Sequence, residues 1–332
     1  MKIAIIGAGL QGKRRVTAAK KCRDVEISVV ASRTFEHAVA LSEIAGCQAT
    51  TDWEAAISAK GVDAVIICTP TGLHSRMCLH AIDSGKHILV EKPMTSTLAD
   101  SLEMTERAKK KGITLSVGFN HRFHPGIRDA YERVKQGIIG EIIFLRSIYG
   151  ICGRPGYEKE WRADPHLSGG GHLLEQGIHS IDLFRLFAGG FKSVTAACST
   201  LYWNMPVEDN AMAIFRTAKG QLASLHASLT QWKNTFLFEV FGTKGYMIVE
   251  GLGGSYGVET LKQGIMDFSK PFETTLTEYR GEDVSWVREW ESFVDAVNGR
   301  PSMIGTPQDG YDALRSVLLC YESSSKGGEI IF

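Results

Sequence analysis

Short apolar runs recur along the first third of the chain, each ending in glycine, proline or a charged residue and each followed by a longer stretch of mixed polarity. They are KIAII at the start, VEISVVASR (25–33), VDAVIICTP (62–70), KHILVEKP (86–93) and ITLSVGFNHRF (113–123). Near-continuous Val, Ile and Leu is what a strand buried on both faces requires. Between the runs, LQGKRRVTAA, TGLHSRMCLHAIDSG and LADSLEMTERAKKKG carry helical spacing. Repeated strand–helix units predict an α/β fold with a parallel, doubly wound sheet, whose ligands bind beyond the carboxyl ends of the strands.

The pattern changes in the second half. From 191 to 250 the residues alternate in strand fashion, and TAKG and GTKG read as hairpin breaks, so a second, largely antiparallel sheet is expected. VSWVREWESFVDAVNG and QDGYDALRSVLLCYESSSKGG read as two terminal helices. The expected organisation is a dinucleotide-binding domain over 1–122 and a substrate-binding and oligomerisation domain over 123–332.

The first turn holds the clearest motif. Gly7-Ala8-Gly9-Leu10-Gln11-Gly12 has the spacing G-x-G-x-x-G and stands between the first strand and a helix. The first glycine allows the tight turn, the second lets backbone approach a pyrophosphate, and the third lets helix pack on strand. The helix N-terminus then offers N–H groups and partial positive charge to the phosphates. After the second strand, where an acid usually takes the ribose 2′-hydroxyl of NAD, the chain has Ser32 and Arg33. A hydroxyl and a guanidinium suit a 2′-phosphate, so NADP is favoured and NAD is the alternative. The other strand tips put Thr69, Pro70, His74, Glu91, Lys92 and Asn120 among the expected cofactor contacts.

Composition narrows the class. Lys plus Arg and Asp plus Glu each number 37, which leaves no basic excess for a nucleic-acid backbone. No apolar segment is long enough to cross a bilayer, so neither nucleic acid nor membrane is an expected partner. Seven scattered cysteines without a C-x-x-C pair argue against a disulfide framework or thiolate zinc site, and a cytoplasmic location is expected.

Two further stretches carry chemistry. Lys92 follows an apolar strand and precedes Pro93, so its side chain stands at a strand tip, able to reach a substrate oxygen. In GGGHLLEQGIHSID, three glycines lead into His172, Glu175, His179 and Asp182. On an ideal helix these four fall within an arc of roughly 80°, with Leu173, Leu174, Ile178 and Ile181 opposite. That pattern fits a solvated amphipathic face, a metal cage or the edge of an active site. Against metal, His172 and His179 would stand about 10 Å apart along the axis, and none is expected. Upstream, Tyr157, Trp161 and Arg162 supply aromatic faces and a forked donor suited to a carbohydrate.

Taken together, the glycine motif, Glu91-Lys92-Pro93 and GGGHLLEQGIHSIDL resemble the Gfo/Idh/MocA family, which includes glucose–fructose oxidoreductase, inositol dehydrogenases and many sugar-modifying dehydrogenases. The resemblance spans nearly the whole chain. It implies a Rossmann domain followed by an open, mostly antiparallel sheet, a homo-dimer or tetramer formed through that sheet, and a Lys92–Pro93 peptide that can be cis. It also implies a nicotinamide-dependent oxidoreductase acting on a sugar or cyclitol, with Lys92 and His179 managing the hydroxyl proton. Glu175 would be the acid partner of His179, where the family more often has aspartate. From their places in the chain, Arg122 at the domain junction would reach the nicotinamide or the substrate, and His172 would be substrate-side or structural. Redox-neutral glycoside cleavage or epimerisation with tightly held NAD, and a non-enzymatic dinucleotide sensor, are the alternatives.

Overall fold

In the computed structural model the apolar runs form a parallel sheet in the order β3-β2-β1-β4-β5-β6, six strands among the described residues, which are 1–269, 271 and 273–332. The strands are β1 (Lys2–Ile6), β2 (Glu26–Ala31), β3 (Gln48–Thr50), β4 (Ala64–Ile67), β5 (His87–Glu91) and β6 (Leu115–Gly118). β4 and β6 are buried at every position, as a sheet covered on both faces demands. Helices α1 (Leu10–Lys20), α2 (Phe35–Ala45), α3 (Trp53–Ser58), α4 (His74–Asp83) and α5 (Leu98–Lys111) make the crossovers. The strand order reverses between β1 and β4, the crevice where such sheets take their ligands.

The chain forms two units, Met1–Asn120 with Ser285–Leu314, and His121–Val284 with Arg315–Phe332. The break after Asn120 lies close to the expected one. Residues 285–314, expected in the second domain, belong instead to the first. The reason is a buried contact that local pattern does not encode: α9 (Ser285–Val297) packs on α1, and its Glu289 accepts a hydrogen bond from Arg15.

The second unit is built on α6 (Pro125–Lys135), α7 (Pro165–Ser168), α8 (Ile178–Ala188) and nine strands among the described residues. These are β7 (Ile142–Cys152), β8 (Phe191–Ser199), β9 (Asn210–Thr217), β10 (Leu222–Ser228), β11 (Thr230–Gly242), β12 (Gly245–Glu250), β13 (Glu259–Ile265), β14 (Thr274–Tyr279) and β15 (Ile330–Ile331). Their order is β14-β13-β12-β11-β7-β10-β9-β8-β15, with β7 and β10 parallel and the other neighbours antiparallel. One face is covered by α8, where Phe184 packs on Phe215 and Phe238 and Ser180 shares a 2.8 Å hydrogen bond with Ser147. Along β9, buried Ala211, Ala213 and Phe215 alternate with exposed Met212 and Ile214. The last helix, α10 (Pro307–Lys326), starts in the first unit and ends in the second.

Candidate active site

In the first unit the glycine motif is used as its spacing demands. Gly7 has φ +111, and a Cβ on Gly12 would stand 2.0 Å from the Gly7 carbonyl oxygen, so neither position admits a larger residue without a backbone shift. Gly9 differs. Among the described residues nothing lies within 4 Å of where its Cβ would be. As the N-cap of α1 it offers no side-chain oxygen, and the first turn of α1 holds no acid. The N–H groups there stay available to an anion, and the open Gly9 position is the cradle a dinucleotide pyrophosphate fits. Leu10 and Gln11 begin α1, while Ser32 and exposed Arg33 follow β2.

Lys92 follows directly on β5, and the Lys92–Pro93 peptide is cis. Glu91 just before it is tied down. Its carboxylate is buried and accepts from Arg15 Nε at 2.7 Å, while Arg15 Nη1 donates to Glu289. The guanidinium also lies 4.7 Å from the Trp286 ring centroid. Burial works against its charge, and the two carboxylates outweigh that and hold its pKa above the ordinary value. The group joins α1, the tip of β5 and α9, so Glu91, expected at the cofactor, also takes part in a buried ion pair.

His74 is likewise redirected. Its ring is buried, with Nε2 2.8 Å from the Thr69 carbonyl oxygen and Nδ1 3.0 Å from that of Pro93. Burial lowers its pKa against the pull of the carbonyls, and a neutral ring donates to one of the two. His74 thus braces the Thr69–Pro70 tip against the turn after Lys92 instead of pointing a nitrogen at a ligand. Asn120, in the turn that follows β6, donates to Ser285 Oγ at 3.1 Å.

In the second unit, the stretch from His172 is no solvated helix face. His172, His179 and Asp182 are buried. Residues Leu173–Gly177 form a π-helical turn that runs into α8, so the ideal 100° spacing does not hold across Glu175. His179 stacks on His121 with ring centroids 3.8 Å apart, and His121 Nε2 shares a 3.0 Å hydrogen bond with the Tyr149 hydroxyl. Arg122, expected on the substrate side, donates to Asp182 through Nε at 2.8 Å and also through Nη2. Glu175 accepts from the Tyr157 hydroxyl at 2.8 Å and from Arg162 Nε at 2.6 Å, and the Arg162 guanidinium lies 4.6 Å from the Trp161 ring. Among the described residues no group of three or more His, Cys, Asp or Glu is arranged to hold a metal ion.

The matches to known proteins agree with these two halves. The family model described as "Oxidoreductase family, NAD-binding Rossmann fold" matches residues 1–119, and "GFO/IDH/MocA C-terminal domain" matches 127–248, together more than half of the chain. The chain belongs to the Gfo/Idh/MocA family of oxidoreductases. A D-glucoside 3-dehydrogenase of Escherichia coli (strain K12) is 28% identical, over 99% of this chain and 97% of its own. A scyllo-inositol 2-dehydrogenase (NAD(+)) of Bacillus subtilis (strain 168) is 29% identical, over 74% and 70%. Among solved structures, a levoglucosan dehydrogenase in complex with NADH superimposes with a TM-score of 0.91 at 25% identity, covering 100% of this chain and 98% of that one. Among the described residues no helix is long and apolar enough to cross a membrane.

As a Gfo/Idh/MocA protein the chain also carries supporting residues that local sequence did not disclose. The carboxylate of Glu208 accepts from the N–H groups of Gly171 (2.8 Å) and Leu173 (2.9 Å) and from the Tyr321 hydroxyl (2.9 Å). It caps the segment that carries Glu175 and His179 from a point far along the chain. The glycines explain themselves: Gly169 has φ +83, a Cβ on Gly170 would stand 2.4 Å from the Tyr321 hydroxyl, and one on Gly171 would stand 2.0 Å from the Glu208 carbonyl oxygen. The one signal available in sequence was the glycine run, which says that something approaches closely without saying what.

Proposed function

We propose that this enzyme is an NADP(H)-preferring dehydrogenase or reductase of a sugar or cyclitol, able also to use NAD(H), in which Lys92 and His179 exchange the proton of the reacting hydroxyl. Two observations carry the reading: in the first unit, an uncapped glycine turn and a lysine at another strand tip of the same sheet, and in the second, a buried histidine on a helix that follows a segment capped by Glu208. The relatives named above act on sugars or an inositol, which supports the substrate class. Exposed Arg33 beside Ser32 after β2 supports a 2′-phosphate contact.

When bound, the nicotinamide supplies or takes up a hydride at the carbon that passes between C–OH and C=O. The chain's own task is proton traffic and orientation. Lys92 has a flexible ammonium that can donate to, or take a proton from, a substrate oxygen. His179, stacked on His121, presents an imidazole of fixed plane, and exchange of one proton is within its ordinary chemistry. His172 and Trp161 complete the proposed substrate side.

We place the enzyme in the cytoplasm, in keeping with cysteines that are all free. A second copy of this chain is the proposed partner, seated on the outer sheet face where Met212, Ile214 and Leu222 are exposed. The test is turnover of a panel of sugars and cyclitols with NADP(H), using Lys92→Ala and His179→Asn. Each is expected to lower kcat by about 10²–10⁴. Full activity in both variants would remove these residues from the chemistry. A dinucleotide that copurifies and does not exchange would point to a redox-neutral reaction.

A further inference from the structure

The polar loop 154–171 has main-chain hydrogen bonds that run locally: Tyr157 N to Arg154 O, Glu160 N to Tyr157 O, Ala163 N to Glu160 O and Leu167 N to Asp164 O. Such a segment, a series of single turns without a ladder to a neighbour, depends on side chains for its place. Besides the Gly171 N–H on Glu208 at its end, two attachments are visible. The Tyr157 ring is buried in a cluster with Ala163, Met205, Val207 and Leu229. The second is polar. Glu175, on the π-helical turn one helical step ahead of His179, offers one carboxylate oxygen to the Tyr157 hydroxyl and the other to Arg162 Nε. Arg162 is held in place by Trp161 beneath its guanidinium and by Glu160, whose Oε2 lies 3.4 Å from Nη1. The pairing is a tight one electrostatically, since burial and the Glu175 charge raise the Tyr157 pKa and the same carboxylate raises that of Arg162 against burial.

We infer that Glu175 is a positioning residue: its carboxylate latches the 154–171 loop, through Tyr157 and Arg162, onto the turn that carries His179, and the latched loop sets affinity for the sugar. This assigns Tyr157 and Arg162 to holding the loop and gives Glu175 a task beyond its sequence-based pairing with His179. The length of glutamate matters here. It lets one carboxylate meet two donors from separate turns of the loop, a span that aspartate would shorten by a methylene.

The assignment rests on the oxidoreductase reading only for its link to substrate affinity; the latch itself is testable without any ligand. The experiment is hydrogen exchange of the full-length, ligand-free protein and of Glu175→Gln, Tyr157→Phe, Arg162→Gln and the Glu175→Gln/Arg162→Gln double variant. Loss of the latch is expected to speed exchange across 154–168 by roughly tenfold in Glu175→Gln. The double variant should exchange no faster than the worse single one, because both break the same contact. Tyr157→Phe keeps the buried ring and loses only the hydroxyl, so its smaller, local increase guards against general unfolding as the cause. In turnover, the same variants should raise KM for the sugar more than they lower kcat, again without additivity. Unchanged exchange in Glu175→Gln, or additive effects in the double variant, would overturn the latch. If the protein binds no dinucleotide at all, the oxidoreductase reading fails and the exchange result still decides the latch.

Discussion

Two glycine runs each lead into a functional helix, and they are used in opposite ways. In Gly7–Gly12 the chain leaves space: the Gly9 side-chain position is open and the start of α1 carries no capping carboxylate. In Gly169–Gly171 the space is filled by the protein itself, with the carbonyl and carboxylate of Glu208 and the hydroxyl of Tyr321 where side chains would stand. The first run leaves a helix start free for an external anion; the second supplies an internal one. Glycine marks close approach in both cases, and only the identity of the approaching group separates a binding site from a support.

The strongest way to break this contrast is to give the first run what the second already has. Gly9→Asp adds a cap in an extended conformation with room for its Cβ, so the fold should keep its stability or gain roughly a few tenths of a kcal/mol in thermal unfolding. Dinucleotide affinity should fall by roughly 100-fold or more in calorimetric titration, because a fixed carboxylate competes with the pyrophosphate. The converse change, Glu208→Ala, empties the second run. It leaves the Gly171 and Leu173 N–H groups and the Tyr321 hydroxyl without their acceptor, a loss of about 2–3 kcal/mol in a denaturant titration. Turnover should drop with it while dinucleotide binding stays within about twofold.

How far sequence reaches can be judged at the same two places. The parallel sheet was legible because strands buried on both faces show uninterrupted apolar runs, and the G-x-G-x-x-G turn was legible because its three glycines answer to local geometry. Lys92 stood out by its position after a strand, periodicity grouped His179 with His172, Glu175 and Asp182, and the family resemblance gave both their roles. The supports were hidden because their partners are distant in the chain: Arg15 meets Glu289, and Gly171 meets Glu208. Glu91, His74 and Arg122 show the same limit from the other side. Each was picked out for a polar side chain, and each hydrogen-bonds a protein partner that no local pattern could name. The π-helical turn also escaped, since periodicity assumes a uniform helix.

A smaller effect separates two neighbouring carboxylates. Burial raises the pKa of Glu208. Burial acts the same way on Asp209, but the N–H groups of Leu201, Tyr202 and Trp203 and the Asn210 amide outweigh it and depress the pKa below 3.8. A depressed carboxyl contributes stability that is present above its unfolded pKa and is lost as pH falls through the folded one. Asp209→Asn should therefore cost about 1–2 kcal/mol at neutral pH, and the gap from the unaltered protein should close below about pH 4. A gap constant with pH would mean that the charge is not what holds the 201–203 turn. The smallest expected change is at Arg33, where Arg33→Ala should reduce NADPH affinity by roughly tenfold and leave NADH affinity nearly unchanged.

The most direct measurement of the central claim, that the open glycine turn of α1 receives a nicotinamide dinucleotide, is calorimetric titration of the full-length protein with NADPH and NADH after its spectrum has been checked for bound cofactor. The account predicts one dinucleotide per chain, NADPH bound more tightly than NADH, and no heat from either with Gly9→Asp. Absence of binding by the unaltered, cofactor-free protein would contradict it.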